Sequence, residues 1–475
     1  MVTTPDSPTR DRAVDEGYAK GLGNRQVQMI AMGGAIGVGL FLGVGGRMAQ
    51  AGPALVISYL LCGVAAFFVM RALGELVVHR PVAGSFVEYA REFIGPWAGF
   101  AVGWLYFLNW AGSGIAEITA AGIYVGKWFP HFPQWLTALI CLVALLVVNL
   151  LSVKLFGELE FWFSVIKVLA IVCFLVVGVW LVLTGAGVAG TTAGPHNLVD
   201  HGGFMPTGLP VVLMSMQGVM FAYASIEMVG IAAGETRDPG KVMPRAINGV
   251  VWRIAVFYLG AVVLLAMVLP WTAYSGEQSP FVTVFSSIGI PWAGDVMNFV
   301  VLTAALSSCN SGLYSTGRIL RSLARRGEAP AFTERMNSRR APYGAVLFTG
   351  AVFLVGVVLN YVVPKDAFDI ATSIASLGII ATWAALLVAQ ARLRRRALHG
   401  ELVRPSYRMP GSPWTNRVVL AFLVLIVVLA AFSDETAVRA SFYAVPVVLL
   451  ALAVGWWAVR SRASRPRAGA GQSET

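Results

Sequence analysis

Apolar residues in this chain come in long blocks rather than in stripes. Twelve blocks follow one another, at 26–46, 53–70, 98–116, 132–153, 161–183, 208–226, 254–275, 296–317, 341–363, 370–391, 418–433 and 440–459. A helix that crosses the hydrocarbon core of a bilayer needs about 20 mostly apolar residues. The blocks reach or approach that length; the run at 418–433 is the shortest and borrows length from its flanks. Lys167 is the one formal charge inside these limits. Lipid admits only helices or closed barrels, because a spanning backbone must satisfy its own hydrogen bonds. These blocks are too long for barrel strands and lack a period of two. The pattern therefore predicts an all-α integral membrane fold with 12 transmembrane helices.

Composition points the same way. Of the 475 residues, 57% are hydrophobic and 12% charged, where a soluble domain carries about 25% charged residues. Too little polar surface remains to coat a soluble body of this size. The first 25 residues are polar and the first apolar block is already of span length, which predicts a retained signal-anchor helix rather than a cleaved leader. Residues 1–20 and 461–475 read as disordered polar tails around one membrane domain at 21–460.

A net charge of +11 raises the question of nucleic acid, and the placement of the charge answers it. With the N-terminus in the cytoplasm, 30 of the 35 Lys and Arg residues fall on the inner side. Arg47, Lys127, Lys365 and Arg439 fall outside, and Lys167 lies within a span. This is the positive-inside pattern, with both termini cytoplasmic; basic charge reports orientation, not nucleic-acid binding. Two inner connections, 318–340 and 392–417, carry seven basic residues each and belong at the membrane surface. The longest outer connection, 184–207, is rich in Gly, Thr and Pro. Cys62, Cys141, Cys173 and Cys309 all lie inside apolar blocks with no disulfide or zinc spacing, as expected of small apolar residues. The five histidines sit in connections or at helix ends. Neither a metal nor a cofactor is expected.

Two of the twelve blocks are poor candidates for simple helices. The first places Gly33, Gly34, Gly37, Gly39 and Gly43 within eleven residues, each weakening a helix by up to about 1 kcal/mol relative to alanine. The sixth runs through Gly218 and Tyr223 to a carboxylate at membrane depth, Glu227. Interrupted spans five helices apart point to an inverted-repeat transporter with its site at the breaks. A small-residue packing face is the alternative reading of Gly33, Gly34 and Gly37.

A broken helix offers free N–H groups from one half and free carbonyls from the other. Those are what the carboxylate and ammonium of an α-amino acid require. Ala35, Ile36, Gly37, Val38 and Gly39 are the candidate carboxylate site, and Phe221, Ala222, Tyr223 and Ala224 the candidate source of carbonyls that accept from the ammonium. Such a site recognises what all amino acids share and selects no side chain. Ionisable groups at membrane depth cost roughly 2.5–3.5 kcal/mol on insertion scales and default to function. Lys167 reads as a proton carrier, or as an ammonium in place of a sodium ion; snorkelling to the inner surface is its structural alternative. Glu117, on the outward side of the third block, is placed to meet the substrate ammonium or join a proton relay, unless it is a purely structural hydrogen-bonded group. Glu227 either shapes the unwound segment by accepting backbone N–H groups or binds protons. Asn109, Ser113, Ser307, Ser308, Asn310, Ser373 and Ser376 are the candidates for side-chain selectivity, with interhelical hydrogen bonding as the competing role.

Several of these residues carry a family likeness. Gly52-Pro53 at the head of the second block, with Gly74-Glu75 and Pro81 after it, resembles the signature of the bacterial amino-acid permease family within the amino acid–polyamine–organocation superfamily. Residues 23–31 and the glycine cluster are similar to that family's first span, and Glu160-Phe161-Trp162-Phe163 up to Lys167 to its fifth. Residues 234–239 and 244–248 are similar to the connection after its sixth. The resemblance covers about residues 17–460, and it is strongest to the L-asparagine permease branch over 71–92, 224–230, 279–283 and 302–323. The D-serine/D-alanine/glycine branch shares much of 279–318. The resemblance implies a leucine-transporter-like fold with a five-plus-five inverted repeat and two extra helices. It also implies a substrate site between the first and sixth helices, and a bacterial plasma membrane location. Many such permeases are proton symporters, and a lysine at the position of Lys167 is implicated in the coupling. The expected partners are L-asparagine or a similar small amino acid, a proton and the lipid bilayer. A permease for another small amino acid, an exchanger and a transporter-like nutrient sensor are the competing readings.

Overall fold

The computed structural model describes residues 36–463 except 83–84, 152, 229, 231–243, 246, 250–251 and 253. Each of the apolar blocks falls on helix, at least in part. The first block becomes two short helices, α1 (Val38–Phe41) and α2 (Gly43–Ala51). A tight turn at Gly52–Ala54, where Gly52 has φ +65°, joins them to α3 (Leu55–His79). A side chain at Gly52 would also strike Pro206, whose Cγ lies 2.5 Å from where a Cβ would stand. The short amphipathic α4 (Ser85–Phe93) leads into α5 (Pro96–Gly126), which starts with proline at its first position. Then follow α6 (Gln134–Leu151), α7 (Val153–Thr184), α8 (Leu209–Met214) and α9 (Met216–Ala222). A π-helical turn, Ile254–Gly260, leads into α10 (Ala261–Val268). The remaining helices are α11 (Pro280–Ser287), α12 (Ala293–Arg325), α13 (Tyr343–Val362), α14 (Ala367–Leu398), α15 (Trp414–Ala430) and α16 (Thr436–Ala463).

Among the described residues, eight stretches are long and apolar enough to cross a membrane. Val38–His79, one of them, contains the end of the first block, from residue 38, and all of the second. Leu209–Ala222 and Trp414–Ala430 are apolar but shorter. Helix α5 is long, but Asn109, Ser113, Glu117 and Thr119 interrupt its apolar run. One feature departs from the all-helical expectation. The connection after α7 folds into a two-stranded hairpin, with Gly187 opposite Thr192 and Val188 opposite Thr191.

In lipid the hydrophobic effect does not drive helix against helix, so close packing of small residues must. Helix α5 is packed in this way against α14. A Cβ on Gly112 would lie 2.7 Å from the Ala371 carbonyl oxygen and from the Ala375 nitrogen. A Cβ on Gly378 would lie 2.6 Å from the Leu105 carbonyl oxygen. Backbone therefore touches backbone at both points, which packs α5 tightly on α14.

Helices α12 and α14 are 33 and 32 residues long. At 1.5 Å per residue each spans about 50 Å, against a hydrocarbon core of about 30 Å. Their basic ends project beyond that core and close one face of the molecule. Buried Glu75 of α3 accepts from Arg404 Nε at 2.6 Å, Gln390 Nε2 at 2.8 Å and the Met409 N–H at 2.7 Å. Arg91 of α4 grips Glu328 with two nearly parallel bonds of 2.8 and 2.7 Å, the strong fork-to-fork geometry. Arg326 reaches Glu88 at 2.8 Å, and Arg392 donates to the Phe93 and Ile94 carbonyls at 3.2 Å. Removing one member of a buried pair costs about 3–5 kcal/mol, because its partner is left uncompensated. Arg404 keeps 20% of its side chain exposed, so Glu75→Ala is expected to cost about 3 kcal/mol, read as a lower melting temperature in detergent. An unchanged melting temperature would show that the arginine is solvated in both states.

Candidate functional site

The two interrupted segments meet in the middle of the bundle. Gly37 is extended (φ −128°, ψ −165°), and helix α1 starts at the next residue. The Gly37 carbonyl accepts the N–H groups of Leu40 and Phe41, both at 3.2 Å. The N–H groups of Val38 and Gly39 precede the first bond of the helix, as at any helix start. Opposite, α9 ends at Ala222, and residues 223–227 run as turns with Ser225 at φ +74°. Gly39 packs directly on that end: a Cβ there would lie 2.7 Å from Ala222 Cα and 3.0 Å from its nitrogen. Any side chain at Gly39 would force the two segments apart.

A cavity of about 20 Å³ lies between them, lined by Gly37, Gly39, Phe221, Ala222, Ala224, Ser225, Ser113, Glu117 and Ser308. It admits roughly one water. Glu117 projects into it from α5 and is buried, with Oε1 2.9 Å from where a Gly37 Cβ would stand. The Val38 N–H and the Ser308 hydroxyl both lie against its carboxyl group. A carboxyl group thus already occupies the start of α1.

The remaining sequence candidates are distributed around this cavity. Ala35 lies outside the described residues. Ile36 and Val38 are buried, and neither side chain lines the cavity. The Phe221 carbonyl accepts the Ala224 N–H at 3.0 Å, so Phe221 contributes its ring rather than a free carbonyl. The Tyr223 side chain points away: its hydroxyl donates to the Tyr59 carbonyl at 2.8 Å and its ring stacks on Tyr258, centroids 4.9 Å apart. Tyr258 belongs to the π-helical turn, so an irregular backbone in one helix supports the end of another. Glu227 is fully buried, with its carboxyl group against the N–H groups of Ser225 and of Glu227 itself and near Trp383 Nε1 at 3.5 Å.

Of the polar run on α12, only Ser308 lines the cavity. Ser307 donates to Glu160 Oε1 at 2.8 Å, and Asn310 accepts from Asn149 Nδ2 at 2.8 Å. Ser376 donates to the Thr372 carbonyl of its own helix at 2.7 Å. Asn109 packs where Gly378 approaches α5, and Ser373 is buried on α14; neither lines the cavity. Lys167 is fully buried on α7, two turns beyond Glu160 on the same face, and the carboxylates of Glu160 and Glu117 lie within electrostatic reach of its ammonium.

On the face opposite the arginine-rich lattice, a vestibule of about 1030 Å³ reaches down to Gly43, Arg47 and Phe368. Gly43 is one helical turn from Gly39. The Arg47 guanidinium donates to the Gly43 carbonyl at 2.6 Å and lies across Gly218, where a Cβ would stand 1.9 Å from Arg47 Nε. A thin layer of side chains thus separates the vestibule from the cavity.

The sequence profile described as amino acid permease matches residues 26–466. The chain belongs to the amino acid permease family. Over 452 residues it is 54% identical to an L-asparagine permease of Streptomyces coelicolor, covering 95% of this chain and 92% of that one. It is also 54% identical over 452 residues to an L-asparagine permease of Escherichia coli, covering 95% and 90%. To L-asparagine permease 2 of Mycobacterium tuberculosis it is 53% identical over 453 residues, covering 94% and 92%. Membership and the apolar helices together make this permease a multi-pass membrane protein.

Two residues in and beside this candidate site were not singled out by the sequence pattern. Ser225 lines the cavity, and nothing in a serine announces a left-handed backbone. Glu160 stood one residue outside the block at 161–183, whereas α7 starts at Val153 and carries it to full burial. Its spacing of seven from Lys167 is two helical turns, which puts both on one face and was a readable signal.

Proposed function

We propose that this permease takes up L-asparagine together with protons, by alternating access. The meeting of Gly39 with Ala222 beside Glu117 carries this reading, and the L-asparagine permeases at 51–54% identity support the substrate. The substrate carboxylate takes the N–H groups at 35–39, displacing the Glu117 carboxyl group from the start of α1. Its ammonium turns to Glu117 and to the carbonyls of Ala222, Tyr223 and Ala224. The hydroxyls of Ser113, Ser225 and Ser308 line the space left for a carboxamide. Lys167 carries or gates the proton, and Glu227 holds the unwound end of α9.

Twelve helices cross the plasma membrane of a bacterium as a five-plus-five inverted repeat with two additional helices, leaving both termini in the cytoplasm. The membrane domain occupies 21–460, between two polar tails. The arginine-rich face is then cytoplasmic and the vestibule external. A cavity of about 20 Å³ is far too small for an amino acid, so loading moves the layer of Arg47 and Phe368 aside. Unloading instead parts the lattice around Glu75, Arg91 and Glu328.

Competition tests the substrate. Labelled L-asparagine uptake into liposomes holding the purified protein is expected to be abolished by unlabelled L-asparagine. It should be only weakly reduced by aspartate, glutamine, D-serine, glycine or GABA. Displacement by D-serine or glycine as complete as that by asparagine would replace the substrate while leaving the site in place.

A further inference from the structure

Glu160 is a buried carboxylate for which neither substrate binding nor the helix breaks supply a use. It sits on α7 seven residues before Lys167, fully buried. Ser307 of α12 donates to its Oε1 at 2.8 Å, and Ser164, one turn along α7, lies 3.5 Å from the same oxygen. The neighbouring residue on α12, Ser308, lies against the Glu117 carboxyl group in the cavity. The dipeptide Ser307-Ser308 therefore touches two carboxylates with consecutive side chains, and Lys167 interacts with both of them. One carboxylate is held at Oε1 by the Ser307 hydroxyl, outside the cavity. The other is in the cavity, where the incoming ammonium competes for it.

We propose that Glu160 is the positioning residue for Lys167. It holds the lysine ammonium during the part of the cycle in which Glu117 is engaged by the substrate ammonium or by a proton. An ammonium left without a counter-charge at this depth is costly. With Glu160 held by Ser307, Glu117 can change partners while Lys167 keeps one. The inference rests on the assignment of Glu117 and Lys167 to the transport cycle, but its test requires no proton gradient.

The test is a double-substitution cycle read as exchange, with labelled L-asparagine outside liposomes and unlabelled L-asparagine inside. The full-length protein, Glu160→Gln, Glu160→Asp, Lys167→Met and Glu160→Gln/Lys167→Met are compared at matched amounts of folded protein. While Glu117 is engaged by the substrate or a proton, each neutralising single substitution leaves one member of the Glu160–Lys167 pair unbalanced, and it should slow exchange by about tenfold or more. The double variant removes both charges and should exceed either single by about tenfold. Glu160→Asp keeps the charge and should exchange faster than Glu160→Gln. If Glu160→Gln does not fold, folded yield becomes the readout, and recovery in the double variant is the expected result. A double variant no better than the worse single, or Glu160→Gln exchanging as the unaltered protein does, would overturn the pairing. Loss of gradient dependence in the unaltered protein would instead strike at proton coupling and leave the cycle readable.

Discussion

Gly39→Val is expected to lose most of its uptake. The first atom of the new side chain would stand 2.7 Å from Ala222 Cα and 3.0 Å from its nitrogen, and backbone cannot rotate out of the way. Overpacking a well-packed interior costs about 1–3 kcal/mol. Applied to the closure of α1 against α9, that is about a five- to 150-fold loss of rate. Gly37→Val crowds the same site more gently. Its Cβ would meet Glu117 Oε1 at 2.9 Å and Ser308 Oγ at 3.1 Å, and both are side-chain atoms that can shift. The expected order of initial uptake rates is therefore unaltered protein, Gly37→Val, Gly39→Val, at equal protein per liposome. Gly126→Ala is the control, because a Cβ there meets nothing within 4 Å. Normal uptake by Gly39→Val would mean that transport never brings the two segments together in this way.

Lys167→Met is expected to lose concentrative uptake. Methionine keeps most of the stem and removes the positive charge that acts on Glu160 and Glu117. If the lysine carries or gates the proton, an inward proton gradient no longer drives asparagine above equilibration, while slow exchange persists through the remaining cavity. The measurement is the ratio of internal to external asparagine with and without the gradient. An unchanged ratio would remove the lysine from coupling and return it to a structural role.

Much of the architecture could be read from where apolar residues start and stop, because in lipid the length of an apolar run and the need for internal backbone hydrogen bonds leave few choices. The glycine cluster likewise marked the start of α1, and the stretch before Glu227 marked the end of α9. The limits of this reading are physical. Ser307, Ser308 and Asn310 are indistinguishable as letters in one polar run, yet successive helical positions are 100° apart. One faces Glu160, one the cavity and one Asn149. Tyr223 sits at the break but spends its hydroxyl on the Tyr59 carbonyl, a partner 164 residues away in sequence. Block boundaries drawn by hydropathy end where charges begin, which left Glu160 outside a helix that buries it completely. The Arg91–Glu328 pair joins two connections that sequence separates by 237 residues, and no local pattern relates them.

The most direct test of asparagine–proton symport uses the purified, full-length protein in liposomes. Labelled L-asparagine uptake is measured with an inward proton gradient, and again after the gradient is collapsed. The account predicts accumulation above the external concentration only while the gradient stands. Uptake of the same rate and extent in both conditions would contradict it, leaving exchange or facilitated diffusion through the same site.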